Sequence, residues 1–207
     1  MAITAAMVKE LREMTGAGMM DCKKALTETN GDMDAAVDVL KKSGAAKMEK
    51  KQSRIAAEGI ARIAVTGNVA VVAEVNSETH FVAKNETFQE FVQTVADTAL
   101  ASDLNGGANG EDIEALLATN GLSDLLVEKT ATIGEKLSVR RSAKVTGDAV
   151  ASYIHGGGRI GVVIAADGAS DDAAKEALTN IAMQVAAMNP QDISRNDISA
   201  EELAKIK

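Results

Sequence analysis

The residues able to do chemistry in these 207 are few, and their spacing argues for binding rather than catalysis. There are two histidines, His80 and His155, and one cysteine, Cys22. No Ser, Cys or Lys stands in a pattern that pairs it with a base, which disfavours a small-molecule enzyme. Glu78 and His80 lie two apart, but no third ligand accompanies them, so neither a metal centre nor a cofactor is expected. Gly156-Gly157-Gly158 lacks the Lys-Ser/Thr and the strand-to-helix setting of a phosphate loop. The aromatic residues say more. There is no Trp, one Tyr (Tyr153) and three Phe, at 81, 88 and 91. Phe88 and Phe91 fall at helical spacing with Val92 and Val95 and read as core. Phe81 follows an apolar run and is flanked by Thr79, His80 and Lys84, an odd place for a core aromatic. In so aromatic-poor a chain, an exposed Phe is a candidate contact residue.

Charge points the same way. The formal net charge is −8. Residues 1–54 carry ten Lys/Arg against eight Asp/Glu, about +2, and the remainder twelve against twenty-two, about −10. Wrapping nucleic acid needs clustered cations, so this acidic body argues for a protein partner and against direct nucleic-acid contact. A single cysteine allows no intrachain disulfide and suits a reducing compartment. The amphipathic, charge-broken N-terminus is unlike a secretory signal, and no run approaches a membrane span. A cytoplasmic protein without membrane contact is the expectation.

The elements that must position these residues divide in two. Residues 1–44 read as three short helices: one capped by Thr4 with Val8 and Leu11 inward, one bearing Met19, Cys22, Ala25 and Leu26 on its apolar stripe, and one capped by Asp32 with Met33, Ala36, Val37 and Leu40 inward. Gly44 sits where the third would end. Met20 and Lys23 fall beside the second stripe; Met19 and Cys22 fall on it and read as core by periodicity. Residues 45–54 form a basic linker or helical spacer. Beyond residue 55 the pattern turns to strands and helices. Ile60–Val65 and Val69–Val75 make a hairpin across Thr66-Gly67-Asn68, a loop leads to a helix over about Thr87–Ala101, and 105–110 reads as a flexible connector. Two helical stretches follow, Glu111–Thr119 and Ser123–Thr132. Strands at Leu137–Val145, Ala149–His155 and Arg159–Ala166 and a helix over about Asp171–Met188 then look like a repeat of the first unit, with a mobile glycine turn after His155. The expected division is 1–54 for the helical module and linker, 55–140 and 141–198 for two core units, and 199–207 for the start of a further helix that could belong to a longer chain.

Three segments carry a family resemblance. KELREMTGAGMMDCKKAL (9–26) with GDMDAAVDVLKKSG (31–44), EVNSETHFVAKNETF (74–88), and IGEKLSVRR (133–141) with YIHGGGRIGVVIA (153–165) together resemble the elongation factor Ts family, in order, over essentially the whole chain. The resemblance implies an α+β fold: a three-helix UBA-like module, then two related antiparallel sheet-plus-helix subdomains. It implies a guanine-nucleotide exchange factor, not an enzyme, whose partner is elongation factor Tu. In that reading Thr79, His80, Phe81 and Val82 form the exchange loop that disturbs the partner's magnesium and nucleotide site. Met19, Met20 and Lys23 face its nucleotide domain, and Ile133, Gly134 and His155 its third domain. The family usually has Asp where this chain has His80, which replaces a carboxylate with a group whose charge changes near neutral pH. From the residues alone, a general protein-binding adaptor stays open beside the exchange factor.

Overall fold

The computed structural model describes residues 3–168 and 170–206. The fold is α+β, with nine α-helices and two antiparallel sheets among the described residues.

Helices α1 (Ala5–Thr15), α2 (Met19–Glu28) and α3 (Met33–Lys51) open the chain. The Thr4 hydroxyl accepts from Met7 N–H at 3.2 Å and the Asp32 carboxylate from Ala35 N–H at 3.0 Å, so both helices start where a short polar side chain can satisfy a free amide. Val8, Leu11, Cys22, Ala25, Leu26 and Ala36 form the small core between them. Two expectations fail here. Gly44 does not end α3: the helix runs on through the basic stretch to Lys51. A Cβ at Gly44 would stand 3.2 Å from Val127 Cγ1 and 3.6 Å from Ala131 Cβ of α7 (Leu122–Ile133). Glycine's cost inside a helix, about 1 kcal/mol relative to Ala, is offset by the close approach of two helix backbones. Met19 is 59% exposed instead of core. Side chains lean toward a helix's N-terminus, so one at the first helical position leans off the end, and the seam starts a turn later at Cys22.

Strands β1 (Glu58–Thr66) and β2 (Val69–Ser77) pair from Glu58↔Ser77 to Thr66↔Val69, leaving Gly67-Asn68 as a two-residue turn with Gly67 at φ +54. After β2 come α4 (His80–Ala83), α5 (Glu86–Ala101), α6 (Ile113–Leu117) and α7. Phe88, Phe91, Val92 and Val95 of α5 bury against Val71, Ala73 and Val75 of β2 in the main core, as the helical spacing predicts.

The later strands differ from the expected repeat. Strand β3 (Ser138–Thr146) pairs with β2 from Val69↔Thr146 to Asn76↔Ser138, completing a three-stranded sheet in the order β1-β2-β3. The boundary expected at 140/141 therefore falls inside a strand. β2 is almost wholly buried, so its backbone amides and carbonyls need partners on both edges, and β3 supplies the second. Strands β4 (Ala149–His155) and β5 (Ile160–Ala166) are left as a two-stranded sheet, covered on one face by α8 (Asp172–Met188) through Ala149, Ala151 and Leu178. Gly161 of β5 lies against Ala61 and Val72, so the second sheet packs on the face of the first opposite α5. The layers run helix, sheet, sheet, helix. Helix α9 (Ala200–Ile206) follows a 3₁₀ turn at Arg195–Asp197.

The connector 105–110 is not free either. Gly107 N–H donates to Ser142 O at 2.7 Å, Lys144 N–H donates to Asn105 O at 2.9 Å, and Gly106 bridges Ala143, so the segment covers the outer edge of β3. The turn after His155 is likewise docked, with Ala61 N–H donating to Gly158 O at 2.7 Å. Gly106 has φ +68, and a Cβ there would collide with the Ser142 carbonyl. Gly106→Ala is expected to lower stability by roughly 2–4 kcal/mol, from left-handed backbone strain plus that clash. Thermal or urea unfolding checks it, and a change below the error of the measurement would mean that the connector yields without cost.

Candidate functional site

The segment between β2 and α5 is built to hold one aromatic out of the core. Ser77 ends β2 fully buried, and Asn85 caps α5 by accepting from Phe88 N–H at 3.2 Å. Between these fixed points α4 makes a single turn. Ala83 is buried and Val82 packs on the main core, which leaves His80 and Phe81 on the outer side. Phe81 is 73% exposed, against 0% for Phe88 and 1% for Phe91. The His80 ring lies over it, with centroids 4.0 Å apart and an interplanar angle of 35°.

A polar lattice holds the base of this turn. Thr79 N–H donates to Glu135 Oε2 at 2.9 Å, and its hydroxyl donates to Glu135 Oε1 at 2.7 Å. Glu78 accepts from Lys136 N–H and receives Arg54 Nη1 on both oxygens, at 3.2 and 3.3 Å. Lys136 Nζ donates to the carbonyls of Gln52 and Arg54, and Lys51 Nζ to that of Gly134. The end of α3, the segment that carries Glu78 and Thr79 and the turn after α7 therefore meet at one node. Sequence reasoning missed the positioning parts of Arg54, Glu135 and Lys136, and weighed Glu78 only as half of a metal pair, which it set aside. Partners 24 to 84 positions apart leave no local pattern that could have exposed them.

The other expected contact residues lie elsewhere. Met20 is 76% exposed and Lys23 is exposed with it, on α2 beside Met19. Ile133 is half-buried against the main core, and Gly134 caps α7 at φ +85. His155 is exposed at the end of β4, where its Nδ1 lies 3.0 Å from the Tyr153 hydroxyl. The node brings Gly134 beside Thr79. No hydrogen bond or ring contact among the described residues joins that pair to α2 or to His155. These candidate stations sit on α4, on α2, at the end of α7 and at the end of β4. Among the described residues, no group of three or more His, Cys, Asp or Glu is arranged to hold a metal ion, and no helix is long and apolar enough to cross a membrane.

Comparison with known proteins gives the layout its class. The family model described as Elongation factor TS matches residues 78–207, starting one residue before Thr79. Elongation factor Ts of Jannaschia sp. (strain CCS1) is 51% identical over 214 aligned residues, which span 99% of this chain and 69% of that relative. The molecule is of the translation elongation factor class. Within that class, the chain belongs to the elongation factor Ts family.

Two carboxylates make the site's surroundings acid-sensitive. Burial pushes Glu74 up, but hydrogen bonds and charge from Arg141, with Asn76 and Arg140, outweigh it and hold the group below its ordinary 4.5. Glu78 is lowered chiefly by the Lys136 N–H, against burial and with help from Arg54 and Lys51. Both groups bind protons less readily when folded. Their stabilisation is therefore complete above the unfolded value and is lost as pH falls through the lower folded values. Melting temperature is expected to drop as pH falls below 4.5, less steeply for Glu78→Gln. Parallel pH curves for the two proteins would remove Glu78 from this account.

Proposed function

We propose that the chain is a guanine-nucleotide exchange factor that binds GDP-loaded elongation factor Tu, disturbs its magnesium and nucleotide site, and promotes GDP release in translation elongation. The observation that carries this reading is the exposure of Phe81 on a one-turn helix whose two inner residues are anchored in the core. An apolar ring held in water gains about 1.5–3 kcal/mol when a partner buries it. That gain speeds exchange only if the complex favours the nucleotide-free partner over the loaded one, which is differential binding to two states. Thr79, His80, Phe81 and Val82 form the wedge in this reading.

Met19, Met20 and Lys23 make a second contact on the N-terminal helices, a UBA-like docking module. Exposed methionines suit it, because their unbranched thioethers adapt to an uneven surface. Ile133, Gly134 and His155 form a third contact. The factor acts by protein binding alone, without a catalytic residue, a cofactor, nucleic acid or membrane.

Release of a fluorescent GDP analogue from elongation factor Tu, with catalytic amounts of this chain, tests the reading. The wild type is expected to accelerate release, and Phe81→Ala to lower that acceleration about tenfold to a hundredfold, the kinetic equivalent of one lost Phe burial. Acceleration that Phe81→Ala leaves intact would sink the wedge, and binding without acceleration would favour an adaptor. His80 yields a second expectation. His80→Asp, which restores the carboxylate the family usually has, should accelerate release beyond the wild type; an unchanged rate would exclude position 80 as a determinant of exchange.

A further inference from the structure

Helix α4 has four residues, too few to hold itself, because the first turn of a helix fixes many dihedrals for little return. Thr79 occupies its N-cap position, with extended backbone at φ −126 and ψ 153. A threonine there ordinarily turns its oxygen onto a free amide of the first turn. Thr79 makes no such bond. Its hydroxyl points away from the helix and, with its own N–H, grips the two oxygens of Glu135 at 2.7 and 2.9 Å. Two donors of one residue on one carboxylate make a bidentate, charge-assisted contact that fixes direction as well as distance.

Glu135 is itself held. Its turn is tied to the end of α3 through Lys51 on the Gly134 carbonyl and Lys136 on the carbonyls of Gln52 and Arg54. The Lys136 N–H returns the grip by donating to Glu78, one residue before Thr79. The two strands of contact cross: the loop's glutamate binds the turn's backbone, and the turn's glutamate binds the loop's.

We propose that Glu135 is a positioning residue for exchange, acting through Thr79 to fix the direction in which the α4 turn presents Phe81. The role rests on the exchange reading above. A wedge free to swivel would lose conformational entropy on insertion, and that loss would fall on the engaged step. Glu135 meets the wedge only at its first residue, Thr79, so initial docking by the other contacts should be spared.

The test uses the full chain, measuring GDP-analogue release over a range of concentrations for Glu135→Ala, Thr79→Val and the double variant. Each single change is expected to lower the saturating release rate about tenfold, the scale of one hydrogen bond to a charged group, with the half-saturating concentration changed less than about twofold. The double variant should be no slower than Glu135→Ala, which already removes both hydrogen bonds, one of which Thr79→Val removes by itself. Glu135→Gln, which keeps one acceptor, should fall between wild type and Ala. Hydrogen exchange of the Thr79 amide in the free chain supplies a readout without the partner, and Glu135→Ala should speed it. An unchanged saturating rate, rates that multiply in the double variant, or an unchanged Thr79 amide would overturn the positioning role while an active wild type upholds exchange. A wild type that fails to accelerate release would overturn the exchange reading, and the positioning role with it.

Discussion

Strand β2 is hydrogen-bonded along both edges, to β1 over nine residue pairs and to β3 over eight, and the rest of the chain hangs from that double pairing. Its inner face buries Val71, Ala73 and Val75 under α5, and its outer face meets the second sheet at Val72. A strand enclosed on four sides cannot shift register without exposing apolar side chains and orphaning backbone groups. Its last residue, Ser77, is therefore a rigid starting point for the loop that carries Phe81. Only two residues separate that point from the exposed turn.

Charge does its main work where pairing is irregular. The β2–β3 register slips between Glu74 and Val75, so that Glu74 faces Arg141 while Val75 faces Val139. The extra residue, Arg140, brings a second guanidinium within reach, and Glu74 receives Arg140 at 3.2 Å and Arg141 at 2.7 Å. A bulge bends a strand and re-aims its side chains. Here it places two cations on one half-buried carboxylate. Arg140 also lies two residues after the start of β3 at Ser138, close to the turn whose Glu135 and Lys136 grip the loop. The irregularities of β3 and the order of the loop belong to one region of the fold.

The N-terminal helices reach this region through α3. Its unexpected length carries the chain past Gly44, where α7 lies close, and delivers Lys51, Gln52 and Arg54 to the node. Continuity of α3 thus sets the placement of Met19, Met20 and Lys23 relative to Phe81. A flexible linker, as the basic composition of 45–54 allows, would leave the two stations independent.

Local physics made much of this legible in the chain itself. Caps at Thr4 and Asp32, the Gly67-Asn68 turn, the inward set of α5 and the outward Phe81 all follow from side-chain type and period, because each depends on neighbours within a few residues. The motifs at 9–26 with 31–44 and at 74–88 were specific enough for the family, with those at 133–141 and 153–165 in support. Tertiary structure alone decided which sheet β3 would join, that 105–110 would cover an edge, that Gly44 would be a helix contact, and that Glu135 would hold Thr79 across 56 positions. In each case a backbone group or a charge is satisfied by a partner far along the chain. Hydrophobic period says which face is buried, but not which distant atom it will meet.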